Sequence, residues 1–352
     1  MSVHQTIPFR WLVAVAAGLM SLALVTAGPS EAAEPAATPV AVQLSFDRPL
    51  DASMAPFVLA ASRGLFASEG LAVTTDVANG SPDAIARVAS GASELALVDL
   101  NELIRRRDKA DSPPIKAIFV LFNKAPYAIV ARKSRGLHAL SDIDGKTLGV
   151  ADSDLSIRLW PALVRQNGIK PASVKFYKIS AAVREPILSA GQVDAVAGFS
   201  YLSAVNLRDR GVPANDLGVF RYADYGCEAY GFALIVAPAF AAAKPEAVRG
   251  MVRAIIAGTN LAIKDPVAAA DEVVNRIDGG SRELELERLR TVISDNILTG
   301  EVRRNGIGAV DPARLERSID QIAEDFKFHK KPQASDIFDD SFLPPADTRT
   351  IN

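Results

Sequence analysis

The side chains of this 352-residue chain that could react are few and widely spaced. His4, His138 and His329 are too scattered for a metal centre or a catalytic triad, and Cys227 is the sole thiol. No Gly-x-Ser-x-Gly elbow, His-Glu-x-x-His helix or cysteine pair occurs, so nucleophilic and zinc chemistry lack their parts. Gly145-Lys146-Thr147 resembles the end of a phosphate-binding loop, but Leu140 stands where its first Gly belongs and the predicted strand follows instead of preceding it. An enzyme built from Asp and Glu alone finds no positive support, and no cofactor or metal is expected. What remains is the chemistry of recognition. Ser53, Met54, Gly80, Ser81, Asp99, Asn123, Ser153, Asp154, Phe199, Tyr225 and Tyr230 all fall at carboxyl ends of predicted strands or at predicted helix starts. There Asp99 and Asp154 would accept hydrogen bonds from ligand donors, Ser81 and Ser153 would donate, and the aromatic rings would stack.

The elements that must position these residues are written twice. Gly70-Leu71, an alternating strand to Val77, a helix from Ser81 to Ser90, Gly91 and the run Leu95–Asp99 recur as Gly168-Ile169, a strand Val174–Ile179, a helix Ala182–Ala190, Gly191 and Asp194–Gly198. Each copy reads as a β-α-β unit, because period-2 runs flank a helical segment closed by a Gly able to take a left-handed conformation. Two such units predict an α/β fold of two similar lobes with a small-molecule cleft between them. Further strands are predicted at Val40–Phe46, Ile115–Phe122, Tyr127–Ala131, Thr147–Ala151, Leu217–Tyr222 and Tyr230–Val236. Helices are predicted at Pro56–Ser68, Pro245–Lys264, Pro266–Ile277, Arg282–Leu298 and Pro312–Phe328. Pro161 either kinks a helix or places its start near Leu159.

Arg10 precedes a nearly unbroken apolar or small run, Trp11–Ala27, with small residues before Gly28 and Ala33. That pattern predicts a cleaved secretory signal over residues 1–32 and an exported, periplasmic protein. The first lobe is expected over 40–130 and 232–330, the second over 131–231, with a surface tail at 331–352. A formal net charge of −2 with both signs interspersed offers no footprint for nucleic acid or an anionic membrane. A monomer is expected.

The chain resembles the bacterial periplasmic solute-binding proteins of the nitrate, sulfonate, taurine and thiamine-precursor type, the NMT1/THI5-like group. The resemblance lies in Ala61-Ser62-Arg63-Gly64-Leu65-Phe66 with Glu69-Gly70-Leu71, Gly80-Ser81-Pro82-Asp83, Ser90-Gly91, Leu140–Val150 and Gly191-Gln192-Val193-Asp194-Ala195. It implies the type II periplasmic-binding-protein fold, two α/β lobes joined by two crossing strands. It also implies a non-catalytic receptor that closes on a small organic ligand, a sulfonate, carboxylate or nitrogen-containing aromatic compound, and delivers it to an ABC permease driven by its ATPase. The aromatic-Asn-Tyr-Glu segment of the pyrimidine-precursor binders is replaced here by Ser200-Tyr201-Leu202-Ser203. For a sulfonate or nitrate, the resemblance implies helix starts with Ser, Gly and Asn donors in place of a buried Arg, a role open to Gly80-Ser81 and Ser153. Asp99, Asp154, Asp224 and Glu228, expected near the cleft, would oppose an anion. The alternatives are an enzyme of the pyrimidine-precursor synthase type, whose His-rich and Cys-rich segments this chain lacks, and a sensing subunit for a membrane signalling protein.

Overall fold

The computed structural model describes residues 38–109, 113–151 and 154–351; the expected signal segment and Ser153 lie outside them. The chain first lays down β1 (Val40–Phe46), β2 (Leu71–Val77), β3 (Leu95–Asp99) and β4 (Lys116–Val120). It then forms β5 (Tyr127–Arg132), β6 (Thr147–Ala151), β7 (Lys175–Ile179), β8 (Ala195–Phe199) and β9 (Leu217–Arg221), and returns as β10 (Phe232–Val236). Two five-stranded sheets result, ordered β2-β1-β3-β10-β4 and β7-β6-β8-β5-β9. In each, parallel strands meet one strand that runs antiparallel to its neighbours: β10 pairs with β3, setting Phe232 opposite Asp99, and β5 pairs with β8, setting Tyr127 opposite Phe199. The chain therefore passes between sheets twice, once between β4 and β5 and once between β9 and β10. The fold is two α/β lobes joined by two crossing segments, as the repeated units require.

Central strands are buried on both faces and read as continuous apolar runs, Leu-Ala-Leu-Val in β3 and Phe-Ala-Leu-Ile-Val in β10. The edge strands β2 and β7 carry most of the exposed strand positions, including Phe176 and Tyr177.

Several elements differ from the sequence-based expectation. The Pro56–Ser68 helix is two helices, Ala55–Ser62 and Leu65–Ser68, because Gly64 takes a left-handed φ of 67° between them. Pro161 occupies the first turn of Trp160–Gln166, where its missing N–H costs nothing, so the helix begins there without a kink. The Arg282–Leu298 segment is an α-helix to Thr291 that widens into a π-helical turn, Val292–Ile297. Helix Ser200–Asp209 was not foreseen: it buries Tyr201, Ser203, Val205 and Leu207, an alternate-residue pattern that lacks the 3.6-residue signature. Helices Pro238–Ala243 and Gly300–Asn305 are likewise additions. The tail does not simply lie on the surface. Ile337 and Phe342 are buried, Phe338 bridges to Ala117, and the Arg349 guanidinium donates to the Ile307 carbonyl at 2.8 Å. Among the described residues no helix is long and apolar enough to cross a membrane.

Candidate functional site

Five strand ends converge on one cavity of about 480 Å³. Asp47 and Arg48 follow β1; Asn79, Gly80, Ser81 and Pro82 follow β2; Asp154, Leu155 and Arg158 follow β6; Ala181 and Arg184 follow β7; Phe199 closes β8, with Leu202 one turn on. The cavity therefore lies at the carboxyl ends of strands from both sheets, where an α/β architecture places ligands. Gly80, at φ 84°, makes a turn that an L side chain resists, and so brings the start of helix Ser81–Ser90, the positive end of its dipole, to the wall.

Each lobe contributes an acid and an arginine, with different pairing. In the first lobe Asp47 is buried; Ser81 Oγ donates to its Oδ2 at 2.5 Å and Arg48 Nη2 lies 3.2 Å from its Oδ1, off the geometry of a hydrogen bond. Burial raises the Asp47 pKa above the usual carboxylate range against the opposing pull of Arg48 and the Ser81 hydroxyl. The Arg48 guanidinium lies over the Phe232 ring, 3.5 Å from its centroid, and its Nε and Nη2 are buried without a hydrogen-bond partner. In the second lobe Arg184 Nη2 donates to Asp154 Oδ2 at 3.1 Å, and the other Asp154 oxygen accepts from Ser156 Oγ at 2.6 Å. Gly198 leaves the room that guanidinium occupies: a Cβ there would come within 2.9 Å of Arg184 Nη1. Arg158 crosses between the lobes, giving both oxygens of Glu102 hydrogen bonds at 2.7 and 2.8 Å. Three arginines and two aspartates line the cavity, with Arg158 already committed to Glu102; buried donors without a partner remain on Arg48, at Nε and Nη2, and on Arg184, at Nε alone. The arrangement can bind an anionic group and stack an apolar portion on Phe199. Among the described residues no cluster of His, Cys, Asp and Glu could hold a metal ion.

Gly80, Ser81, Asp154 and Phe199 of the sequence-derived set line this cavity. The Ser81 hydroxyl, however, is committed to Asp47 and accepts from the Asp99 amide at 3.0 Å, and Gly80 rather than Ser81 precedes the helix as its cap. The others lie elsewhere. Asp99 is fully buried, caps helix Leu100–Arg106 through the Asn101 amide and accepts from the Tyr127 hydroxyl, so it has no acceptor to offer a ligand. Burial raises its pKa to about 6 despite the Tyr127 and Asn101 hydrogen bonds. Asn123 and Tyr230 belong to a network behind the cleft: Thr299 Oγ1 donates to Asn123 Oδ1 at 2.7 Å, Tyr230 donates to Glu301 at 2.7 Å, and Arg314 stacks on the Tyr230 ring. Ser53 and Met54 are buried in the helical layer beside β1, since the loop after Phe46 turns inward through a short 3₁₀ turn, Ala52–Met54. Tyr225 packs edge-on against Phe220 of β9, an edge strand of the second sheet, and does not line the cavity. Of the four carboxylates expected to oppose an anion, only Asp154 lines the cavity, and it is held by Arg184; Asp224 pairs with Arg221, and Glu228 with Arg314 and Arg317.

The NMT1/THI5-like family model matches residues 51–269, well over half of the chain. The chain belongs to that family. Its curated relatives include the riboflavin-binding protein RibY of Chloroflexus aurantiacus, 29% identical over 258 residues, a match spanning 70% of this chain and 68% of RibY. They also include a 4-amino-5-hydroxymethyl-2-methylpyrimidine phosphate synthase of Schizosaccharomyces pombe, 25% identical over 62% of this chain and 65% of the synthase, just under two thirds of its length. Among solved structures, the periplasmic aliphatic sulphonate binding protein SsuA of Escherichia coli superimposes with a TM-score of 0.68 at 14% identity, covering 85% of this chain and 91% of SsuA. The architecture is that of the periplasmic binding proteins.

Arg48, Arg158 and Arg184 escape a reading that looks for hydroxyls, amides and aromatics at strand ends. A signal for two of them was present. Asp47-Arg48 directly follows the alternating run of β1, and Arg184 opens the helix after β7. A charged residue at either position points toward whatever occupies the cleft.

Proposed function

We propose that this chain is the solute-binding component of an ABC import system in the periplasm, capturing a small organic anion between its lobes and presenting it to a permease and its ATPase. The observation that carries this reading is the Arg48 guanidinium, buried at the cleft with Nε and Nη2 lacking hydrogen-bond partners. A buried unpartnered donor is costly, and an incoming carboxylate or sulfonate removes that cost through charge-assisted bonds of about 1.5–3 kcal/mol each. Phe199 and Leu202 supply an apolar wall for the rest of the solute, and helix Ser81–Ser90 adds its dipole. The two crossing segments between the sheets are the natural place for the lobes to hinge. The riboflavin-binding and sulphonate-binding proteins named above support a solute with a flat or anionic part.

Relatives that are pyrimidine phosphate synthases support a second reading, an enzyme on the same fold. One experiment addresses both. Small molecules retained by the purified protein are identified by mass spectrometry, and alkanesulfonates, dicarboxylates, riboflavin and aminopyrimidines are screened by thermal shift. The receptor reading expects one class to raise the midpoint and to be recovered unchanged; chemical conversion of the bound compound contradicts it.

A further inference from the structure

A second and larger cavity, about 790 Å³, adjoins the first and shares Pro82 and Arg158 with it. Its buried wall is Arg105, on helix Leu100–Arg106, whose residue is 8% exposed. The acid nearest to Arg105 is Glu102, and that carboxylate is already occupied: Arg158 takes both oxygens, while Arg105 Nε stays 3.9 Å away and has no hydrogen-bond partner. Arg105 Nη2 makes one bond, to the Arg158 carbonyl at 3.0 Å. Two guanidinium groups thus share one carboxylate, leaving a buried positive charge in excess. Burial lowers the Arg105 pKa from its ordinary value, against the pull of Glu102. Arg106 and Lys109 reach the same cavity and form no ion pair among the described residues. Asp108, at the rim, is engaged by the His329 ring and the Lys330 amide at 2.9 Å each, and with Glu102 it sets two carboxylates against the four cations Arg105, Arg106, Lys109 and Arg158 in the lining. The Phe326 ring lies under Arg105, 5.2 Å from its Cζ.

We infer that this second cavity is an anion site, built to take a phosphate, sulfonate or carboxylate group on Arg105, with Arg106 and Lys109 at its mouth. Because Arg158 comes from the second lobe and Arg105 from the first, an anion there draws the two halves together. The group is either a free oxyanion or the second charged end of a solute seated in the first cavity. The site itself does not depend on which solute the first cavity takes.

The probe is inorganic phosphate, titrated calorimetrically at low ionic strength into the full chain carrying Arg48→Ala, which weakens anion binding in the first cavity. Saturable binding of one phosphate is expected, at least tenfold weaker after adding Arg105→Gln and several-fold weaker after adding Arg106→Gln with Lys109→Gln. The second pair sits at the cavity mouth and carries the test if Arg105→Gln fails to fold. In the wild-type chain, phosphate that persists when an organic anion saturates the first cavity assigns the site to a free ion; one-for-one displacement assigns it to the far end of that solute. No phosphate bound to the Arg48→Ala chain, or binding indifferent to both sets of substitutions, overturns the inference. Neither result bears on whether Arg48→Ala weakens an organic anion, so this failure and that of the receptor reading remain separate.

Discussion

The two carboxylates of the cleft, Asp47 after β1 and Asp154 after β6, occupy equivalent places in the repeated halves, and each is met by the helix start that follows the next strand: Ser81 after β2, Arg184 after β7. Asp154 holds Arg184 by a direct hydrogen bond and is itself held by Ser156, whereas Asp47 takes a hydrogen bond from Ser81 on Oδ2 only and leaves Arg48 Nε and Nη2 without hydrogen-bond partners. The second lobe's carboxylate has both oxygens hydrogen-bonded and leaves Arg184 only Nε unpartnered; the first lobe's pair leaves two Arg48 donors for a ligand. A duplicated framework thus yields one structural corner and one binding corner, and the difference is made by which neighbour reaches the carboxylate first.

The comparison breaks most visibly through Arg184. Arg184→Ala leaves Asp154, 4% exposed, as a buried carboxylate without its counter-charge, and removing one partner of such a pair costs about 3 kcal/mol. Chemical denaturation is expected to show that loss; a stability within about 0.5 kcal/mol of wild type, the usual range for a surface change, would mean Asp154 is not held as described.

Asp99 supplies the next largest effect. Its pKa is raised to about 6 in the folded protein, against an ordinary value of 3.8. The folded state therefore binds more protons than the unfolded state between these values, so this group's contribution to stability rises as pH falls through 6. Between pH 7 and pH 5 the wild type is expected to gain roughly 1 kcal/mol relative to Asp99→Asn. Denaturant titrations of both proteins at the two pH values check this, and parallel behaviour would show that Asp99 is not the buried, protonation-favouring group placed behind the cleft.

Tyr230→Phe removes the hydrogen bond to Glu301 and is expected to cost about 1 kcal/mol of stability while leaving solute affinity unchanged. A loss of affinity would return Tyr230 to the binding surface. Asp47→Asn sharpens the open corner in the opposite sense: it removes the charge competing for Arg48 yet keeps an acceptor for Ser81. Affinity for an organic anion is expected to rise a few-fold, by under about 1 kcal/mol, and calorimetric titration reads it.

These residues also mark what was legible in the sequence. The bounds of Val40–Phe46, Ser81–Ser90 and Pro245–Lys264 are visible because Pro, Gly and alternation punctuate them. The repeated β-α-β unit was enough to foretell two lobes and a cleft. Inside the cleft, position along a strand told which residues stand near the carboxyl ends, but not which way the following loop turns. Ser53 and Met54 lie a few residues past Arg48 on the same loop, and the chain folds them inward while leaving Arg48 at the cavity. Asp99 and Asn123 are polar residues at or just beyond strand ends, as a ligand contact would be, yet Tyr127 and Thr299, distant in sequence, claim their acceptors. Such claims depend on tertiary partners, which local pattern does not reveal.

The central claim is that Arg48 is the group on which the solute's anion rests. The most direct test is calorimetric titration of wild-type and Arg48→Ala chains with the alkanesulfonate, dicarboxylate or flavin that the thermal-shift screen selects. The account predicts one-to-one binding by the wild type and a loss of at least about tenfold in the variant, equivalent to about 1.4 kcal/mol or more. Equal affinity in the two proteins, with the variant folded, would contradict it.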